Sequence, residues 1–216
     1  QTIVHTYLAG SSLMAAYLKK HDVPYVIDTD HSLDMRQRAD AQRLLSVHQI
    51  SALENISMSH TKQGLMNRRE ANKVSAALKN LRSRSLRGVH VKDIMITCRK
   101  DKWLDHNDYP KGAFTNQSKL TAANWIAKTT KGTNEYRNCT HAVYLSKLNL
   151  SPNIIAYLGV DRQFEKDWAV SELIQWLYRT GLRDGQKVEL HLASSHMKCL
   201  LEEWLFEQDQ VLELVA

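Results

Sequence analysis

Alternating and β-branched apolar residues form six short runs along the chain, and each run predicts a β-strand. The runs cover residues 2–8, 24–28, 93–97, 122–127, 139–145 and 187–192. Between them, apolar positions spaced three and four apart predict helices. The predicted helices cover residues 12–21, several segments between 32 and 87, 153–158, 168–179 and a last helix that Ser195 caps.

This alternation of strands and helices predicts how the elements pack. The first strand, helix and strand together occupy about 28 residues, and a crossover of that size joins parallel strands. We therefore predict an α/β three-layer sandwich with a mainly parallel central sheet. Residues 1–216 are expected to form a single domain, and residues 32–90 a helical basic insertion within it.

Composition narrows the class of protein further. Hydrophobic residues make up 43% of the chain and charged residues 24%, which excludes a disordered or collagen-like protein. Eight glycines and three prolines are too few for a sandwich of many short, hairpin-linked strands. The odd set of Cys98, Cys139 and Cys199 is no disulfide framework, so we expect a reducing compartment, the cytoplasm or nucleus. No apolar run reaches the roughly 20 residues of a membrane span, and no membrane partner is expected.

The net charge of +6 is modest, but the positive charge is concentrated in one segment. Residues 62–102 contain twelve Lys and Arg against three acids, whereas residues 201–216 contain five acids and no base. A basic segment of this kind is typical of proteins that contact a phosphate backbone, so DNA or RNA is the expected partner. The residues proposed to contact it are Arg68, Arg69, Lys73, Arg82, Arg84 and Arg87. The alternative is an ordinary solvated helix face.

Two further segments have the composition of phosphate-binding sites. Gln175, Arg179 and Arg183 are spaced by four, which places them on one stripe of a helix opposite its apolar face. Guanidinium groups offer planar pairs of donors that suit a polyphosphate. Residues 129–135, with the sequence TTKGTNE, form a loop whose backbone N–H groups can face an anion. The alternatives are a stripe that contacts only water and an ordinary turn.

The order of these segments resembles that of superfamily-two helicases of the DEAD/DEAH type. Residues 125–145 (WIAKTTKGTNEYRNCTHAVYL) resemble motif V, residues 175–185 (QWLYRTGLRDG) resemble motif VI, and residues 3–7 (IVHTY) resemble motif IV. The chain is therefore similar to the second, RecA-like domain of a helicase or translocase, except at about residues 32–90. It departs from the pattern at Tyr178, where motif VI has Gly, and at Asn134, where many relatives have Asp.

The resemblance implies a role for each matched residue. Arg179 and Arg183 would be arginine fingers that act on a triphosphate, and Gln175 would contact the nucleotide. The nucleotide would also contact Gly132, Thr133 and Asn134, and the nucleic acid would contact Thr6 and Thr130. The 216 residues contain no GxxxxGK[ST] loop and no DEAH-like run. ATP and Mg²⁺ would therefore bind only together with a first RecA-like domain, supplied in cis or in trans.

Two other functions are compatible with the same residues. A non-catalytic domain with this fold could bind nucleic acid or a protein partner through its basic surface. A metal-dependent nuclease could use Asp28, Asp30, His31 and Asp34, or the acidic loop at 105–108. A zinc site at His191, His196 and Cys199 is the weaker metal hypothesis, because zinc ligands usually come in tighter pairs, and we predict no metal site.

Overall fold

The fold is built on a five-stranded sheet. In a computed structural model, residues 9–28, 31–130 and 133–206 are described, with the backbone alone for residues 31–34. The strands are β1 (Leu45–Gln49), β2 (Ile94–Thr97), β3 (Asn124–Trp125), β4 (His141–Tyr144) and β5 (Val188–Leu192). Their order is β1-β5-β4-β2-β3, and every neighbouring pair is parallel. The predicted α/β fold with a parallel sheet is confirmed.

Eight α-helices accompany these strands within the described residues. They are α1 (Leu13–Lys20), α2 (His31–Leu44), α3 (His60–Leu65), α4 (Arg68–Ser83), α5 (Lys100–Trp103), α6 (Pro152–Leu158), α7 (Arg162–Leu177) and α8 (Ser195–Phe206). Several begin at the side-chain caps that their sequences encode. Ser12 caps α1, Asn67 caps α4 and Asp161 caps α7, each by accepting a backbone N–H of the first turn.

The sheet separates two apolar cores. Ala142 and Tyr144 of β4 point into one core, which α2, α7 and α8 cover. Val143 and Leu145 point into the other, which contains the buried face of α4, namely Ala71, Val74, Ala77, Leu78 and Leu81. Because strand side chains alternate between the two faces, this division produces the predicted three-layer arrangement.

Two of the predicted elements differ from the structure. Residues 24–28 form no strand, and Val26 is 91% exposed there. The segment 32–90 is not wholly helical, since β1 lies within it and pairs with β5 along the edge of the sheet. A short apolar run such as Leu44 to Ile50 fits helix and strand periods equally well, and pairing with β5 decides between them. The strand predicted at 2–8 lies outside the described residues.

Two sequence-based expectations concern membranes and disulfides. Within the described part of the chain, no helix combines the length and the apolar character needed to cross a bilayer. All three cysteines are free thiols; Cys98 and Cys139 are buried and Cys199 is exposed.

Candidate functional site

Two of the predicted phosphate-binding segments meet in one pocket. We call it the arginine pocket; it has a volume of about 190 Å³. Its lining residues are Asn134, Arg137, Tyr178, Arg179, Arg183 and Asp184. The turn after α7 is held against the chain before β4, where the Gly181 N–H donates to the Cys139 carbonyl at 2.9 Å. The pocket therefore lies at the amino-terminal ends of the central strands β4 and β5.

Thr180 determines how the two predicted arginine fingers reach this pocket. Its Oγ1 donates to the Leu177 carbonyl at 2.7 Å and accepts the Leu182 N–H, so α7 ends and a 3-10 turn, Gly181–Asp184, begins. Gly185 closes this turn at φ +75°, in the left-handed region that glycine tolerates best. The prediction of one continuous helical stripe through Arg179 and Arg183 is therefore wrong, although both side chains line the pocket.

Arg179 is a buried cation. Only 8% of the residue is exposed, and its Nε has no hydrogen-bond partner among the described residues. Desolvation lowers the pKa of the guanidinium, and the charge of Glu172 partly opposes that shift. An arginine stays protonated at neutral pH even so, because its ordinary pKa lies far above 7. The pocket therefore holds a positive charge whose hydrogen-bonding capacity is not fully used.

The other two arginines of the pocket have partners. Arg137 donates to both carboxylate oxygens of Asp184 at 2.8 Å, which raises the pKa of Arg137 and lowers that of Asp184. Arg183 donates from Nη1 to the side-chain oxygen of Asn134. Since Asp184 balances Arg137, the excess positive charge of the pocket belongs to Arg179 and Arg183.

Tyr178 closes one side of the pocket. Its hydroxyl donates to the Gln37 carbonyl of α2 at 2.9 Å, and burial raises its pKa to about 12. The ring is therefore a neutral wall that ties the end of α7 to α2. The sequence pattern gave no signal for Arg137 and Asp184 as pocket residues, because the two lie 47 positions apart and only the fold brings them together.

The remaining residues of the helicase resemblance lie elsewhere or are not described. Gln175 donates to Ser171 Oγ on its own helix at 3.0 Å and does not line the pocket. Thr133 accepts the N–H of Glu135, and the Thr130 N–H donates to the Ala127 carbonyl close to the end of β3. Thr6 and Gly132 lie outside the described residues.

In open parallel sheets, ligands usually bind at the carboxyl ends of the strands, between two neighbouring strands whose connections leave in opposite directions. Here those strands are β2 and β4, and Gln63 occupies the space between their carboxyl ends. Its amide nitrogen donates to the carbonyls of Met58 and Leu145 at 2.9 and 2.7 Å, and its oxygen accepts the Arg99 N–H at 2.9 Å. This buried glutamine is bonded through both its nitrogen and its oxygen, so it joins the ends of the two strands.

The predicted nucleic-acid contacts follow α4 and the turns after it. Arg68, Arg69 and Lys73 are exposed on the helix, and Arg84 and Arg87 are exposed beyond its end. Arg82 is half-buried and donates to the Leu86 carbonyl. An asparagine–glutamate capping box, Asn67 with Glu70, fixes the start of the helix. The exposed cations therefore lie on a rigid element, on the face of the sheet opposite α7.

The metal hypotheses gain no geometric support. Within residues 9–28, 31–130 and 133–206, no three His, Cys, Asp or Glu side chains are arranged to hold a metal ion. Asp105 accepts the N–H groups of Asn107 and Tyr109, and Asp108 pairs with Lys100 at 2.8 Å. Asp30 and the side chains of His31 and Asp34 lie outside the described residues.

Comparisons with known proteins agree with this fold. The family model of the YonV C-terminal Rossmann-like domain matches residues 38–205. The chain is 34% identical over 101 residues to the "SPbeta prophage-derived uncharacterized protein YonV" of Bacillus subtilis (strain 168), an alignment that covers 44% of this chain and 24% of that protein. No solved structure matches the chain. Since the family model spans more than half of the sequence, the chain belongs to the YonV C-terminal Rossmann-like domain family.

Proposed function

We propose that this domain binds the phosphate groups of a nucleotide or nucleic acid in the arginine pocket. The observation that carries the proposal is the guanidinium of Arg179, which lines this pocket although only 8% of the residue is exposed. A largely buried charge is costly, and a phosphate bound in the pocket would relieve that cost by pairing with it. Arg183, at the mouth of the same pocket, would add a second pair of donors.

The size of the pocket favours a phosphate group over a whole nucleotide. Pockets that enclose a complete small ligand usually measure about 300–1,000 Å³. A cavity of about 190 Å³ instead suits the phosphate end of a ligand whose remainder lies outside it.

The sharper form of the proposal is the second RecA-like half of an ATP-dependent helicase or translocase. Its support is that Asn134, from the motif V-like segment, and Arg179 and Arg183, from the motif VI-like segment, line one pocket. In that role the two arginines would neutralise charge on the transferred phosphoryl group. ATP and Mg²⁺ would be held mainly by a first RecA-like domain, in cis or in trans.

A second candidate is a non-catalytic domain that binds nucleic acid, or an acidic protein partner, through α4. The exposed cations Arg68, Arg69 and Lys73 on a well-capped helix favour it, and it needs no nucleotide. The two candidates differ in one measurable respect. Only the helicase or translocase half, called the motor domain below, would change its affinity for nucleic acid when ATP is added.

Isothermal titration of the chain with pyrophosphate and with ATP tests the pocket. We expect Arg179→Ala and Arg183→Ala each to weaken binding at least about tenfold, which corresponds to about 1.4 kcal/mol. Arg179→Lys should recover little of this loss, because an ammonium group cannot reproduce the planar pair of donors. Arg43→Ala, which removes an exposed arginine of α2 paired with Asp40, is the matched control. Equal affinities for Arg179→Ala, Arg183→Ala and the wild type would refute the proposal that the arginine pocket binds phosphate.

Oligonucleotide anisotropy, with and without ATP at a concentration that the titration shows to be bound by the chain, separates the two candidates. An ATP-dependent change in affinity that Arg179→Ala/Arg183→Ala abolishes supports the motor domain. Binding that is indifferent to ATP and to both arginines supports the non-catalytic domain.

A further inference from the structure

A second cavity lies towards the carboxyl ends of the strands, beside the start of α4. We call it the α4 cavity; it has a volume of about 410 Å³. Its polar lining comprises Arg68, Asn72, Lys111, Thr115, Asn116 and Thr121. Part of the wall is the connection from β2 to β3, which follows the carboxyl end of β2. Ligands in parallel α/β sheets bind in loops of this kind, and the volume lies within the usual range of about 300–1,000 Å³.

The wall of the α4 cavity is rigid. Gly112 lies so close to α5 that a Cβ there would be 2.3 Å from the carbonyl carbon of Lys102. Phe114 and Leu120 anchor the loop in the core, and the Gln117 N–H donates to Ser75 Oγ of α4 at 2.7 Å. The cavity is therefore formed before any ligand arrives, which lowers the entropic cost of binding.

The chemistry of the lining is cationic and amide-rich. Arg68 and Lys111 provide two positive charges, and no carboxylate lines the cavity among the described residues. The acids of the adjoining turn are engaged elsewhere, Asp105 with backbone N–H groups and Asp108 with Lys100. Asn72 and Asn116 add side-chain amides that both donate and accept hydrogen bonds. Cations next to amides suit a ligand with a phosphate and a hydrogen-bonding base.

We propose that the α4 cavity takes one unpaired nucleotide of a nucleic-acid strand that runs along α4. Its phosphate lies against Arg68 and Lys111, and its base edge faces the amides of Asn72 and Asn116. The neighbouring phosphates of the strand meet Arg69 and Lys73, which are exposed farther along the helix. A base enters a recess only after it leaves the stack, so the site selects single-stranded over duplex nucleic acid. This inference rests on the proposal that the domain binds nucleic acid, but not on the arginine pocket.

Anisotropy of a labelled single-stranded oligonucleotide, compared with the same strand in a duplex, tests the α4 cavity. The wild type is expected to bind the single strand at least about tenfold more tightly. Ala113→Trp fills the cavity from an exposed wall position without a change of charge, and it should abolish this preference. Arg68→Ala/Lys111→Ala should weaken single-strand binding at least about tenfold. Lys19→Ala/Lys20→Ala removes the same charge from exposed positions of α1 and should change affinity less than about twofold.

The possible outcomes separate the inference from the proposed function. If the wild type binds nucleic acid but Ala113→Trp and Arg68→Ala/Lys111→Ala bind like the Lys19→Ala/Lys20→Ala control, the cavity is not the site, although the domain still binds nucleic acid. If the wild type binds neither strand form, the inference and the nucleic-acid proposal both fail. Melting temperatures confirm that each variant is folded, and Arg68→Ala/Lys111→Ala, which changes two exposed side chains, keeps the test decisive if Ala113→Trp does not fold.

Discussion

Some buried polar side chains in this protein have hydrogen-bond partners for both donor and acceptor atoms, whereas others retain a nitrogen without a partner among the described residues. Gln63 uses both its donor and its acceptor capacity to join the ends of β2 and β4, so its role is structural. Arg179 and His191 are also buried, and each has a ring or guanidinium nitrogen without a hydrogen-bond partner among the described residues. For Arg179 an anion in the pocket can pair with the charge of the guanidinium, whereas for His191 the consequence concerns the stability of the fold.

His191 is expected to make folding depend on pH. The residue is 3% exposed on β5, and its ring stacks on that of His48 at 5.0 Å. Burial, followed by the nearby His48 and His141, lowers its pKa to about 4. Since an unfolded histidine has a pKa of about 6.5, the unfolded chain takes up a proton first as the pH falls. The stability contributed by neutral His191 is complete above about pH 6.5 and is lost as the pH falls towards about 4.

Urea unfolding at about pH 7 and about pH 5 measures this effect. By linkage, His191 should contribute roughly 2 kcal/mol of the wild-type loss over that interval. His191→Gln should lose that much less, whatever its stability at neutral pH, because glutamine does not titrate. His106→Gln, at an exposed loop position, should retain the wild-type difference. Identical pH dependence in His191→Gln and the wild type would contradict the assignment.

At the scale of elements, short apolar runs located β2, β4 and β5 to within two residues, because these central strands are buried on both faces of the sheet. β1 escaped detection because its few residues fit two periods, and only pairing with β5 selects the strand. The strand predicted at residues 24–28 is absent from the structure, since apolar character alone does not supply a neighbouring strand to pair with.

The candidate site was predictable only where local sequence carries the chemistry. Arg179 and Arg183 were singled out by their spacing, and Asn134 by the resemblance to motif V; the structure shows that the three line one pocket. The pairing of Arg137 with Asp184, the Gln63 bridge and the α4 cavity depend on contacts between distant segments, and no pattern along the chain encodes them.

Gly112 tests the rigidity of the loop between β2 and β3. Its N–H donates to the Trp103 carbonyl at 2.9 Å, and an added Cβ would lie 2.3 Å from both the carbonyl carbon and oxygen of Lys102. Backbone must shift to accommodate it, so Gly112→Ala should destabilise the fold by about 1–3 kcal/mol. Gly10→Ala is the control, because its Cβ would meet only Ile27 at 4.0 Å. Urea unfolding of both variants measures the difference, and equal stabilities would mean that the loop adapts easily.

At the scale of the whole molecule, the two cationic sites lie at opposite ends of the strands. The arginine pocket lies where β4 and β5 begin, and the α4 cavity lies beyond the end of β2. Positive charge is concentrated in residues 62–102, whose twelve bases exceed their acids by more than the net charge of the whole chain, +6. A polyanion would therefore meet an asymmetric molecule, with its most basic segment on the α4 side of the sheet.

This asymmetry predicts a specific salt dependence of nucleic-acid binding. Each phosphate contact releases counterions, so log K falls with log salt by about 0.7 per contact on a single strand. Arg69→Ala/Lys73→Ala, which removes two exposed cations of α4, should reduce the steepness of this line by roughly 1.4 in slope. Lys19→Ala/Lys20→Ala removes as much charge from α1, across the sheet, and should leave the slope unchanged. If both double variants lower the slope equally, binding depends on net charge alone; if neither does, α4 does not contact the phosphate backbone and its exposed cations serve a different partner.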